Sequence, residues 1–85
     1  MNFDQVWDNI VKHEGQTFFT ITNLPFTYQI DQNRLITNRT DYPLSKANFK
    51  KAFELLPVQG PGAFSRDIRG SSYVYAIFHD RRIRQ

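Results

Sequence analysis

The spacing of apolar residues changes once along this chain, and that change constrains the fold more than any other feature. Between residues 3 and 11 the apolar side chains recur every three or four positions, the spacing of one helix face. Between residues 17 and 39 apolar and polar side chains alternate, which is typical of half-buried strands. A helical pattern followed by a run of strand patterns predicts an α+β fold.

The ends of the first helix are marked by capping residues. Asn2 is a suitable N-cap, and Gln5 three residues later completes a capping-box pattern. Gly15 can adopt the left-handed backbone conformation that ends a helix. The sequence therefore predicts an amphipathic helix between Asn2 and Gly15.

Three segments predict a three-stranded antiparallel β-meander. Residues 17–22 and 26–31 are separated by a break that contains Pro25, and a short polar turn precedes residues 34–39. Connections this short join antiparallel strands. We expect the apolar face of this sheet to pack against the first helix.

The second half of the chain predicts two more helices around an irregular segment. Ser45 can cap a helix that Pro57 ends, and residues 58–70 form a long Gly/Pro loop. Residues 71–84 fit either a helix or a buried strand; their length and Ser71 as a cap favour a C-terminal helix. The predicted core is Trp7, Ile10, Phe19, Ile21, Tyr28, Ile30, Phe49, Phe53, Ile77 and Phe78.

Length and composition limit the class of protein. Eighty-five residues predict one domain spanning 1–85, and the absence of cysteine excludes disulfides and thiolate metal sites. The first residues carry no basic, apolar leader, and no apolar run approaches the roughly 18 residues that span a bilayer. We therefore expect a soluble, cytoplasmic protein without a membrane partner.

Charge is distributed unevenly along the chain, which has a net charge of +3. Residues 1–33 carry four acidic side chains and one lysine, whereas residues 34–51 carry five basic side chains and one aspartate, and residues 66–85 carry five arginines and two aspartates. Such asymmetry predicts DNA, RNA or an acidic protein as partner. The candidate nucleic-acid-binding residues are Arg34, Arg39, Lys50, Arg66, Arg69, Arg81, Arg82 and Arg84.

The main prediction is thus a non-enzymatic nucleic-acid-binding accessory domain, and two alternatives remain open. The first is a protein-interaction module, of the phage, mobile-element or toxin–antitoxin accessory type, that uses the 58–70 loop. Its candidate partner-binding residues are Phe64, Ile68, Tyr73 and Tyr75. For Phe64 and Ile68 we slightly favour the alternative in which they fill a small core. The second alternative is a small metal-free ribonuclease in which His79 is the general acid or base.

Other kinds of site find little support in the sequence. His13 and His79 lack the spacing that places two metal ligands on one helix face, so we expect no metal site. The segment from Gly60 to Gly62 lacks the Lys-Ser/Thr ending of a phosphate-binding loop. We assign no catalytic residue and expect no cofactor.

Overall fold

The computed structural model describes residues 2–64 and 66–84 and has the α+β architecture that the sequence predicts. In this part of the chain, four helices, five short strands and one 3-10 turn follow one another. They are α1 (Phe3–Lys12), β1 (Phe18–Phe19), β2 (Pro25–Phe26), β3 (Tyr28–Asp31), β4 (Arg34–Thr37), β5 (Leu44–Ser45), α2 (Lys46–Leu55), a 3-10 turn (Pro61–Ala63), α3 (Ser71–Phe78) and α4 (Arg81–Arg84).

The first helix begins with the predicted capping box. Asn2 Oδ1 accepts a hydrogen bond from the Gln5 backbone N–H at 2.9 Å, and the Gln5 side chain accepts one from the Asn2 N–H. Gly15 has φ +87°, and its N–H donates to the Tyr28 carbonyl at 2.9 Å. The end of the α1 segment is therefore joined directly to the start of β3.

A three-stranded antiparallel sheet is present, but its members differ from those predicted. Its order is β3-β4-β5, with Tyr28 opposite Thr37 and Arg34 opposite Ser45. The third strand is β5, whereas the prediction gave that place to residues 17–22. A two-residue strand has no periodicity that a sequence pattern can reveal.

Residues 17–22 form a hairpin with the next segment. β1 pairs only with β2, and Thr20 Oγ1 accepts a hydrogen bond from the Leu24 N–H at 3.0 Å, which closes a tight turn. Phe18 is fully buried, whereas Phe19 and Ile21 are 57% and 61% exposed. The prediction that Phe19 and Ile21 lie in the core is wrong, because two consecutive phenylalanines put an apolar side chain on each face and alternation cannot tell which face is buried.

The core lies between the three main helices and the sheets. Phe49 of α2 is at its centre, with ring centroids 5.6 Å from Trp7 of α1 and 5.8 Å from Phe78 of α3. The predicted burial is confirmed for six residues, and two others are partly buried at the edge of the core. The six are Trp7, Ile10, Tyr28, Phe49, Ile77 and Phe78, and the two are Ile30 and Phe53.

The C-terminal segment is helical but divided. α3 ends at Phe78, and a new turn, α4, starts after Asp80. Asp80 Oδ1 accepts a hydrogen bond from the Arg82 N–H at 2.9 Å, as an N-cap does. The prediction of a helix in this region is confirmed, the alternative of a strand is wrong, and the interruption follows from this aspartate cap.

The 58–70 loop is folded back onto the body of the protein. Phe64 and Ile68 are only 7% and 5% exposed, and the Phe64 ring lies 6.4 Å from that of Tyr75. The prediction that Phe64 and Ile68 offer an exposed partner-binding surface is therefore wrong, since both fill the core beside α3. Tyr73 and Tyr75 are half-buried, and Tyr73 packs on Phe26.

Candidate functional site

Basic side chains gather around the first turn of α2. Ser45 caps this helix, its Oγ accepting a hydrogen bond from the Asn48 N–H at 3.0 Å. Lys46 and Lys50 lie one turn apart and line one shallow groove with Asn33. Arg34 lies directly opposite Ser45 in the β4–β5 pair. Three cations from two elements therefore surround a helix N-terminus, which itself carries partial positive charge.

A fourth cation reaches this turn from the distant loop. The Asn48 side-chain amide donates to the Arg69 carbonyl and accepts from the Arg69 N–H, both at 3.0 Å. The Arg69 guanidinium carbon lies 4.6 Å from the centroid of the Tyr42 ring. These contacts fix the Arg69 backbone beside the face of α2 that carries Asn48, which lies about 200° around the helix from Lys46. We call the set Arg34, Lys46, Lys50 and Arg69 the α2 basic surface; its members lie around the first two turns of α2 and not on one face.

Two carboxylates lie near the α2 basic surface without cancelling its charge. Arg34 pairs with Asp31 at 3.1 Å, but the two side chains are 50% and 57% exposed, so water screens the pair strongly. Asp4 lines the same groove as Lys46 and Lys50. Four cations against these two carboxylates leave a surplus of positive charge around the first two turns of α2.

The other predicted nucleic-acid-binding residues lie elsewhere or have other contacts. Arg39 donates from Nε to the Pro25 carbonyl at 3.0 Å, which holds it against β2. Arg66 and Arg81 are exposed. Of the eight predicted residues, Arg34, Lys50 and Arg69 thus lie on or beside the first two turns of α2, on different sides of it, and Lys46 lies in the same turns.

The Arg82 side chain makes its contacts within the protein. Its Nε and Nη2 donate to Asp80 Oδ1 and Oδ2 at 2.9 and 3.0 Å, and further bonds reach the Gln16 side chain and the Thr17 carbonyl. The guanidinium carbon lies 3.8 Å from the centroid of the Phe18 ring. The hydrogen bond from Arg82 holds the pKa of Asp80 below its ordinary value, more than offsetting the opposing effect of burial. Arg82 therefore joins α4 to the segment before β1.

An apolar groove of about 250 Å³ lies at the other end of α2. It is lined by Val6, Phe53, Leu56, Pro57, Phe78, His79, Ile83 and Arg84. Because ten helical residues span about 15 Å, Arg84 in this groove is well separated from Lys46 at the start of α2. The C-terminal arginines therefore do not extend the α2 basic surface.

His79 has a fixed orientation at the rim of the groove. Its Nδ1 lies 3.0 Å from the Tyr75 carbonyl, which can only accept, so Nδ1 carries a proton and Nε2 remains available. The ring stacks on Tyr75 with centroids 4.0 Å apart. Arg84 lines the same groove as His79, whereas Arg82 is bound to Asp80. The alternative of a ribonuclease that uses His79 stays a prediction.

Sequence reasoning missed one exposed surface, the tip of the β1–β2 hairpin. Phe19, Ile21 and Leu24 are 57%, 61% and 52% exposed, more than any other large apolar side chain among the described residues. Residues 15–30 carry no charged side chain. That absence of charge was the available signal, but the strand pattern assigned Phe19 and Ile21 to the core, and Leu24 was placed in the break between two strands. We call residues 19–24 the hairpin tip.

Within residues 2–64 and 66–84 no cluster of three or more His, Cys, Asp or Glu side chains is arranged to hold a metal ion. None of the helices in this same part of the chain has the length and apolar character needed to cross a membrane. No family model, curated protein or solved structure matches the chain.

Proposed function

We propose that this protein binds nucleic acid as a non-enzymatic accessory domain and that the α2 basic surface contacts the phosphate backbone. The observation that carries the proposal is the pair of hydrogen bonds between Asn48 and Arg69. Through them a loop cation is held beside the helix that carries Lys46 and Lys50, which lie far from it in sequence. Cations from different elements around one helix start are suited to contact successive phosphates.

The chemistry of the α2 basic surface suits phosphate oxygens. Lys50 offers an exposed point charge, whereas the Lys46 ammonium lies 5.8 Å from the centroid of the Trp7 ring. The arginine fork can donate two parallel hydrogen bonds to one phosphate. The N-terminal end of a ten-residue helix adds favourable partial charge. Phosphate contacts of this type fix position and orientation but do not read sequence, so we expect binding with little base preference.

Fluorescence anisotropy with labelled duplex and single-stranded oligonucleotides tests the proposal. We expect binding that weakens as salt rises, with a logarithmic slope of about −3 to −4 if each of the four cations meets one duplex phosphate. Lys50→Gln and Arg34→Gln should each weaken binding several-fold. Lys12→Gln, which removes the same charge from the exposed end of α1, is the matched control and should have little effect.

Two results would overturn the proposal. One is the absence of salt-dependent binding at low ionic strength. The other is an equal loss of affinity in Lys12→Gln and Lys50→Gln, because binding would then follow net charge and not the α2 basic surface.

A second candidate function, protein interaction, is favoured by the hairpin tip. Its three exposed apolar side chains stand on a turn held by the Thr20–Leu24 hydrogen bonds, so they are ordered in advance of binding. Pull-down of a partner by the wild type and by Val11→Asp, but not by Ile21→Asp, would support it. Loss of capture in both variants would show that any added surface charge interferes.

A further inference from the structure

The apolar groove has a lining of mixed chemistry. Six of its eight side chains are apolar, the other two are His79 and Arg84, and none is a carboxylate. At about 250 Å³ it falls just below the range of roughly 300–1,000 Å³ that is usual for pockets of drug-sized ligands. A ligand that matches it is therefore small, largely apolar and negatively charged at one end.

The groove lies where three parts of the fold meet. Val6 of α1, Phe53 and the residues after α2, and the α3–α4 segment from Phe78 to Arg84 all contribute to its lining. Phe78 and Ile83 are 5% and 1% exposed and form the apolar floor. The Phe78 ring contacts that of Phe53 at 6.1 Å, so the floor belongs to the packed core and does not need to form on binding.

The polar end of the groove is suited to an anion. Arg84 is exposed and keeps its charge at all physiological pH values. The nearest acidic side chain in sequence, that of Asp80, is paired with Arg82. His79 contributes a polar edge whose orientation is fixed by the Tyr75 carbonyl.

We propose that this groove binds a small organic monocarboxylate with an aliphatic or aromatic body. The body packs on Phe53, Phe78 and Ile83, and the carboxylate accepts hydrogen bonds from the Arg84 guanidinium. This site shares no lining residue with the α2 basic surface or with the groove beside it. The proposal therefore does not depend on nucleic-acid binding.

Titration of the ¹⁵N-labelled full chain with hexanoate and with 3-phenylpropionate, followed by amide chemical shifts, tests the site. We expect saturable shifts confined to residues around the groove. Arg84→Gln should weaken binding about tenfold, the usual size of a lost charge-assisted hydrogen bond. Arg81→Gln changes an exposed arginine of the same short helix that does not line the groove, and it should bind as the wild type does.

The neutral analogue hexanamide separates charge recognition from apolar burial. We expect it to bind at least several-fold more weakly than hexanoate. The proposal is overturned if no carboxylate gives saturable shifts, if hexanamide binds as well as hexanoate, or if Arg81→Gln and Arg84→Gln weaken binding equally. Each variant's amide spectrum shows whether it is folded, so an altered fold is not mistaken for a lost contact.

Discussion

Arg82 and Asp80 form a two-point ion pair, with Nε 2.9 Å from Oδ1 and Nη2 3.0 Å from Oδ2. The same carboxylate accepts a hydrogen bond from the Arg82 backbone N–H and so begins α4. One aspartate therefore caps a helix turn and orients a guanidinium that reaches Gln16, Thr17 and Phe18. The position of α4 and the start of the hairpin depend on the same pair.

Arg82→Ala should destabilise the protein by about 2 kcal/mol, because it removes charge-assisted hydrogen bonds and the contact with Phe18 together. Arg82→Lys should recover less than half of that loss, since an ammonium cannot reproduce the two-point geometry. Urea denaturation measures both free energies of unfolding. Arg81→Ala is the matched control and should stay within about 0.5 kcal/mol of the wild type. Equal losses in Arg81→Ala and Arg82→Ala would contradict this role for Arg82.

The same pair predicts a loss of stability in acid. The hydrogen bond from Arg82 lowers the pKa of Asp80 in the folded protein relative to the unfolded chain, whose value is about 3.9. The ionised carboxylate therefore contributes stability above pH 4, and that contribution is lost as pH falls below about 4. The difference in unfolding free energy between the wild type and Asp80→Asn should shrink over this range. A difference that does not change with pH would contradict the prediction.

Local sequence signals predicted the helices well and the strands only in part. The capping box at Asn2 and the cap at Ser45 act between residues three apart, so a pattern in the sequence can reveal them. The pairing of β4 with Leu44–Ser45 and the burial of Phe18 instead of Phe19 depend on packing against distant residues. Such choices have no signal within a short window of sequence.

The candidate site was predicted in the same partial way. Charge counting found Arg34, Lys50 and Arg69 but could not show that Arg69 lies beside α2, because the Asn48–Arg69 contact joins residues 21 positions apart. It also treated Arg82 as free, although an aspartate two residues earlier, just after an apolar helix, is a signal for a cap. Charge composition reports how many cations a chain has and not which of them are already paired.

The raised pKa of Tyr28 predicts that the protein loses stability at alkaline pH. Its hydroxyl donates to the Ile10 carbonyl, and burial raises its pKa far above the ordinary value of 10. The folded state therefore keeps the neutral phenol while the unfolded chain ionises, and stability should fall as pH rises above about 10. Tyr28→Phe loses about 1 kcal/mol at neutral pH but should show a weaker alkaline loss. Denaturation of both proteins between pH 8 and 11 measures the difference, and parallel curves would contradict it.

Asn48→Ala tests the two hydrogen bonds between Asn48 and Arg69 without changing the net charge. It removes two hydrogen bonds to the Arg69 backbone, so stability should fall by about 1–2 kcal/mol and hydrogen exchange at residues 66–70 should quicken. If these hydrogen bonds position Arg69 to contact a phosphate, the affinity for oligonucleotides should fall as well. Gln29→Ala, on the exposed side of β3, is the matched control and should change neither quantity. Faster exchange with unchanged affinity would remove Arg69 from the α2 basic surface.

Gly70 should not tolerate a side chain. It has φ +63°, and a Cβ placed there would lie 2.9 Å from both Leu44 methyl carbons. Leu44 is fully buried and cannot move away cheaply, so Gly70→Ala combines backbone strain with overpacking and should cost about 2–3 kcal/mol. Gly62→Ala is the matched control, because its Cβ would meet nothing within 4 Å. Urea denaturation measures the free energy of unfolding of both variants. If Gly70→Ala is as stable as Gly62→Ala, the start of α3 and β5 are less closely packed than this contact requires.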